Sequence, residues 1–191
     1  MKIENIRKIT DCAHVNLYAS RYRDRLDQEK TWIYASRADR AEPQPKTHAS
    51  PDAVVIVPFH TGRRKLVLIR EFRVVIQGFQ IGFPAGLVDP DESIETAGRR
   101  ELFEETGLTA TRMIRQSPAA YSSSGLTDET VSMLFLECEG APSTRNNEAS
   151  EDIEVILVSQ EEAKMMLADP DAPFDAKTWI VLTSYAATGM L

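Results

Sequence analysis

Cysteine is scarce: Cys12 and Cys138 are the two in 191 residues, with no CxxC pair and no histidine at metal-ligand spacing. That excludes a disulfide framework or a zinc site built on these residues and leaves two reduced thiols. Long apolar runs are missing as well. No stretch approaches the roughly 18 apolar residues that cross a bilayer as a helix. The opening Met1-Lys-Ile-Glu-Asn has no apolar core of the kind a secretory signal carries. A surplus of positive charge is also absent, since 22 basic residues face 29 acidic ones for a net charge of −7. Nucleic acid is therefore not the expected partner, because it calls for a basic surface. A small polyphosphate remains compatible, because a divalent cation can bridge carboxylates to phosphate. There is no internal repeat and no low-complexity tract. The expectation is a cytoplasmic protein with neither a nucleic-acid nor a membrane partner.

Apolar residues make up 42% and charged residues 27%, and the length suits one domain with a modest extension. Residues 1–45 read as an N-terminal strand extension and residues 46–191 as the main domain. In the extension, Val15–Ala19 alternates apolar and polar positions, and Thr31–Arg37 is rich in aromatic and β-branched residues. Residues 39–51, with Pro43, Pro45 and Pro51, read as a loop. Ala53–Pro58 and Lys65–Arg70 read as strands joined into a hairpin by the turn Thr61–Arg64, and Val74–Phe83 as a strand interrupted by Gly78 and Gly82. Pro84–Ser93 reads as a loop leading into a helix over Ile94–Thr106, which Gly107 ends. Strands over Val131–Cys138 and Ile153–Val158 flank a polar loop, residues 139–152. Ser159 followed by Glu162 forms a capping-box pattern for a helix to Ala168, and a last helix runs over Asp175–Ala187. Strands followed by helices on the sheet faces make this an α/β or α+β chain.

The segment that carries chemistry starts at Gly86. Glu92 follows after five residues, and seven residues later comes Arg100-Glu-Leu-Phe-Glu-Glu-Thr-Gly-Leu108. On a helix, residues three and four apart share a face, so Glu101, Glu104 and Glu105 crowd together and repel. Mg²⁺ or Mn²⁺, hard cations that take oxygen ligands, would relieve that repulsion. Arg100 can pair with Glu104, four residues on, or with Glu92 across the loop. Gly86 admits backbone shapes closed to other residues.

This segment resembles, at every defined position, the signature box of the Nudix hydrolase superfamily. Seven fixed identities at ordinary residue frequencies would coincide by chance about once in 10⁸ start positions. The resemblance implies a mixed β-sheet sandwiched between α-helices, preceded here by the β extension. It implies Glu101 and Glu105 as main metal ligands, the Ala85 carbonyl completing the site, Glu104 as a further ligand, and Arg100 and Glu92 orienting the cluster. The flanks Arg70–Arg73, Phe83–Asp89, Ser123–Glu129 and Glu151–Val155 are similar to the ADP-ribose pyrophosphatase and nucleoside-diphosphate-sugar hydrolases of that superfamily. From them, Arg73 is expected on the substrate phosphates, Leu87 at the substrate, Gly125 and Glu129 on the terminal ribose or sugar, and Trp32 stacked on the nucleobase. The catalytic set is Glu105 with Glu151 or Glu148 as general base, Glu151 doubling as a metal ligand.

Two positions depart from the pattern: Ser124 stands where the subfamily carries proline, and Gly82 where it carries glutamate. UDP- and GDP-sugars therefore stay open beside ADP-ribose. So do a dinucleoside polyphosphate, an oxidised nucleotide, and a module that binds nucleotide sugars without cleaving them. Relatives with such an extension exchange it across a two-fold axis, which implies a homodimer.

Overall fold

A computed structural model describes residues 1–38 and 50–190. The boundary expected between residues 45 and 46, and the loop expected over residues 39–51 except its last two residues, lie outside the described residues. Along the chain the strands are β1 (Lys2–Lys8), β2 (Asn16–Arg23), β3 (Glu29–Ser36), β4 (Ala53–His60), β5 (Lys65–Arg73), β6 (Gly78–Gly82) and β7 (Ala85–Leu87). Helix α1 (Ile94–Thr106) follows, then β8 (Thr109–Gln116), β9 (Ala120–Tyr121), β10 (Thr130–Glu139) and β11 (Ile153–Val158). Helices α2 (Gln160–Ala168) and α3 (Ala176–Thr188) close the chain. No helix of the described residues is long and apolar enough to cross a membrane.

The chain forms two compact units. The first comprises residues 1–52 and 118–131. Its antiparallel sheet has the order β1-β2-β3. The segment after Pro118 ties into β3: the Ala35 amide donates to the Leu126 carbonyl at 2.8 Å, and the Ser36 hydroxyl to Asp128 at 3.0 Å. An alternating strand pattern read from sequence cannot reveal such a pairing, because its two halves lie some ninety residues apart.

The second unit comprises residues 53–117 and 132–191, and its sheet runs β11-β5-β4-β10-β8. The expected hairpin forms at Thr61–Arg64, where Phe59 faces Leu66 and His60 faces Lys65. Beyond that the two strands part company. β7 pairs with the start of β4, and β6 pairs with the end of β5. Alternation then sorts the side chains. Val54, Ile56 and Val67 face α1 and pack with Ala97, Leu102, Leu108, Leu134, Leu136 and Cys138. Phe59 points the opposite way and meets Tyr185 of α3 edge-on at 6.4 Å. The sheet is thus covered by a helix on each face, the sandwich expected from the sequence. Burial in this core pushes the Cys138 thiol up to about 12, so it packs as an inert apolar group.

Helix ends follow the local chemistry. The Ser93 hydroxyl accepts from the Thr96 amide at the start of α1, and Gly107 closes it in the left-handed region at φ 70°. Ser159 and Glu162 form the reciprocal capping box at α2. Asp175 accepts from the Lys177 and Thr178 amides at α3. Two expectations change. Val74–Ile76 is a 3₁₀ turn rather than strand, ended by Gln77 at φ 51°. The loop before α1 contains the short strand β7. Strands β1 and β8 carry mostly exposed side chains, so neither shows the apolar alternation that marks a half-buried strand.

Candidate active site

Helix α1 carries the expected carboxylates, and its position on the sheet decides how wet each one is. Glu105 is 4% exposed, whereas the Glu104 side chain keeps 46% of its surface in solvent. Glu105 lies one residue before the terminal Thr106, on the face that also buries Leu102. Its carboxylate accepts from the Ala85 amide of β7 at 3.3 Å. Among the described residues no lysine or arginine forms an ion pair with it. Burial pushes its carboxyl up to about 9, reinforced by the charges of Glu101, Glu71 and Glu151 and opposed by the Ala85 amide.

Glu101 lies against the β7 backbone. A Cβ added at Gly86 would fall on the Glu101 carboxylate, so glycine is needed there for space. Burial raises the Glu101 carboxyl, and the Glu104 and Glu151 charges add to it, against the pull of Arg100. Arg100 spreads its guanidinium over four partners: Glu101 at 2.8 Å, Glu104 at 3.2 Å, Glu92 at 2.9 Å and the Leu87 carbonyl at 3.1 Å. This joins the box loop to the helix. The bond from Arg100 holds the Glu92 carboxyl below the usual range, with help from the Asp89 amide. Arg99, its neighbour, faces elsewhere and ties Glu95 to the Ala110 carbonyl.

The loop before β11 brings in Glu151. Its carboxylate accepts from the Glu148 amide at 2.8 Å, and its charge acts on both Glu101 and Glu105. Glu148 is exposed, and its carboxylate accepts from the Ser150 hydroxyl at 3.4 Å. Arg73, at the end of β5, pairs with Glu71 at 2.6 Å. Leu87 is 46% exposed beside the Gly86 cradle. Glu71 was not singled out from the sequence. The signal was present: Val67, Ile69 and Glu71 alternate onto one strand face, and an acid in an inward series asks for a reason.

The remaining expected residues gather in the first unit. The Trp32 indole donates to the Gly125 carbonyl at 3.2 Å with 51% of the residue exposed. Glu129 accepts from Arg37 at 3.3 Å and from the Ser122 hydroxyl at 3.2 Å. A side chain at Gly125 would meet open space.

The carboxylates of the second unit suit a hard divalent cation. The donors are all oxygen, one is buried without a cationic partner, and a glycine keeps the backbone close to another. Among the described residues no three acidic, histidine or cysteine side chains converge on one ion position. Arg100 and the Ala85 amide take up the Glu101 and Glu105 carboxylates instead.

A family model described as the NUDIX domain matches residues 49–179. The chain is 34% identical over 130 residues to the ADP-ribose pyrophosphatase of Bacillus subtilis, covering 67% of this chain and 68% of that one. It is 28% identical over 143 residues to the ADP-ribose pyrophosphatase of Saccharomyces cerevisiae, covering 73% of this chain. The match spans 59% of the yeast protein's own length. A crystal structure of an ADP compounds hydrolase shares the fold at a TM-score of 0.72 and 21% identity, covering 98% of this chain and 94% of that one.

Proposed function

Because this chain belongs to the Nudix family, we propose that it hydrolyses the pyrophosphate bond of ADP-ribose or a related nucleoside-diphosphate sugar, releasing a nucleoside monophosphate and a sugar phosphate. The supporting observation is Glu105: a buried carboxylate with no cationic partner among the described residues, raised further by three neighbouring carboxylates. Such a group holds its proton until a cation arrives.

Glu101 and Glu105, with Glu104, Glu151 and the Ala85 carbonyl, would hold Mg²⁺ or Mn²⁺. A cation held there would supply neutralisation of charge on the diphosphate and a more acidic water. Arg73, whose planar fork suits a diphosphate, grips the substrate phosphates. Glu151 takes the proton of the attacking water. It is favoured over Glu148 because its charge reaches both Glu101 and Glu105. Arg100 and Glu92 hold the helix carboxylates in register with the loop. Leu87 lines the substrate side. Trp32 stacks on the nucleobase, and Gly125 and Glu129 face the sugar; support comes from Trp32 and Gly125 already being in contact.

In this reading the protein works as a homodimer in the cytoplasm, where the exposed free thiol of Cys12 stays reduced. A kinetic panel with Mg²⁺ tests the assignment, running ADP-ribose against UDP-, GDP- and ADP-sugars, a dinucleoside polyphosphate and an oxidised nucleotide. The expected outcome is preference for a diphosphate-linked sugar, with the two phosphate esters as products. Binding without turnover across the whole panel would reject it. Light scattering at micromolar concentration should return the mass of two chains.

A further inference from the structure

Strand alternation carries Val67, Ile69, Glu71 and Arg73 of β5 along one face. Val67 belongs to the cluster beneath Leu102 of α1, so this face of the strand is the one that α1 covers. Glu71 continues that inward series, opposite Ile153 of β11, and only 22% of its side chain is exposed. The Phe72 amide donates to the Asp152 carbonyl at 3.0 Å, pinning this end of β5 to the segment that carries Glu151. Glu71 is thus a second carboxylate, besides Glu151, that comes from outside α1 and whose charge acts on Glu105, here from β5, between β11 and β6. Among the described residues Glu71 forms its ion pair with Arg73, the residue assigned above to the substrate diphosphate.

We propose that Glu71 is a positioning residue that couples substrate binding to metal binding: it holds Arg73 beside the carboxylate cluster and releases it to the diphosphate. While paired, Glu71 and Arg73 cancel. When Arg73 turns to the diphosphate, Glu71 is left as a mostly covered negative charge next to Glu105. A divalent cation in the cluster compensates that charge. Each ligand therefore favours the other, and the coupling is reciprocal. The inference rests on the diphosphate-sugar reading for the role of Arg73. The pairing of Glu71 with Arg73, and its place among the charges on Glu105, do not depend on it.

The test is Mn²⁺ binding, read by the loss of free-ion paramagnetic resonance signal, on metal-stripped wild type, Glu71→Gln, Arg73→Ala and the double variant. Titrations run with and without a methylene-bridged, uncleavable ADP-ribose. Without the analogue, Arg73→Ala frees Glu71 and is expected to tighten Mn²⁺ binding about fivefold, the scale of one screened charge a few ångströms away. Adding Glu71→Gln should return affinity to within about twofold of wild type, because the pair is removed as a neutral unit. With the analogue, the gain in Mn²⁺ affinity seen in wild type should shrink about fivefold in Glu71→Gln, and Glu71→Asp should restore part of it. Thermal midpoints of metal-stripped Glu71→Gln and the double variant should match wild type, while Arg73→Ala, with its uncompensated Glu71, should melt lower and regain the difference when Mn²⁺ is added, a sign that a purely structural role would not produce. The proposal is overturned if Arg73→Ala leaves Mn²⁺ affinity unchanged, or if the double variant binds Mn²⁺ as tightly as Arg73→Ala alone. Failure of the analogue to bind wild type with Mn²⁺ present would count against the diphosphate-sugar reading, while the titrations without it still decide Glu71.

Discussion

Glu105 shows how one residue can serve both fold and site. Its ordinary value is 4.5 and its folded value is about 9, so between these the folded chain keeps a proton that the unfolded chain has released. The unfolded state then binds fewer protons, and stability falls as pH rises from about 4.5 towards 9. Metal-stripped protein should accordingly melt at lower temperature at pH 8.5 than at pH 5.5, and Glu105→Gln, which has no charge to bury, should flatten that slope and melt higher at the alkaline end. Calorimetry across the range checks both; a wild-type midpoint that climbs with pH contradicts the burial argument. The same substitution removes charge from the proposed metal site and should slow turnover by at least about 10²-fold with the circular dichroism spectrum unchanged. For the general base, Glu151→Gln should cost about 10²-fold or more in kcat, and Glu148→Gln less than about threefold. The reverse order would move the base to Glu148.

At the scale of elements, α1 and β7 work as a pair. β7 is only three residues long, yet it offers the Ala85 amide to Glu105 and the bare backbone of Gly86 to Glu101. Gly86→Ala should therefore displace the Glu101 carboxylate, weakening Mn²⁺ binding about tenfold or more while costing stability by no more than about 1–3 kcal/mol. Titration and a denaturant melt on the same sample separate the two effects. Helix α2 is a control outside the site: Ser159→Ala breaks a reciprocal cap and should cost about 1 kcal/mol with kcat/KM unchanged. What could be read locally was read well. The bounds of α1 and its end at Gly107 follow from residues within a few positions of one another, while the Ser93 cap came with the structure. β1 and β8 carry mostly exposed side chains and no periodic apolar signal, whereas Val74–Ile76, three apolar β-branched residues in a row, reads as strand although the fold leaves it an exposed 3₁₀ turn.

For the molecule as a whole, the proposed metal site and the fold depend on the same carboxylates. An ion that binds only the folded chain stabilises it by about 2.7 kcal/mol at a hundredfold its Kd, which for this size means a rise in Tm of about 5–10 °C. Because ionised Glu105 is the form a cation favours, the Mg²⁺-induced rise should be larger at pH 8.5 than at pH 5.5. An increment independent of pH would detach Glu105 from the metal. By itself the sequence determined the family signature, the helix that displays Glu101, Glu104 and Glu105 on one face, and the glycine that ends it, because all of these depend on spacings within a single turn or loop. Only the tertiary structure decided which carboxylates act on one another by charge. Glu71 and Glu151 reach Glu105 through the register of β5 with β11, more than eighty residues apart in the chain, and no local spacing encodes that register. Burial, and with it the raised carboxyl of Glu105, likewise belongs to the packed sheet and helix rather than to the motif.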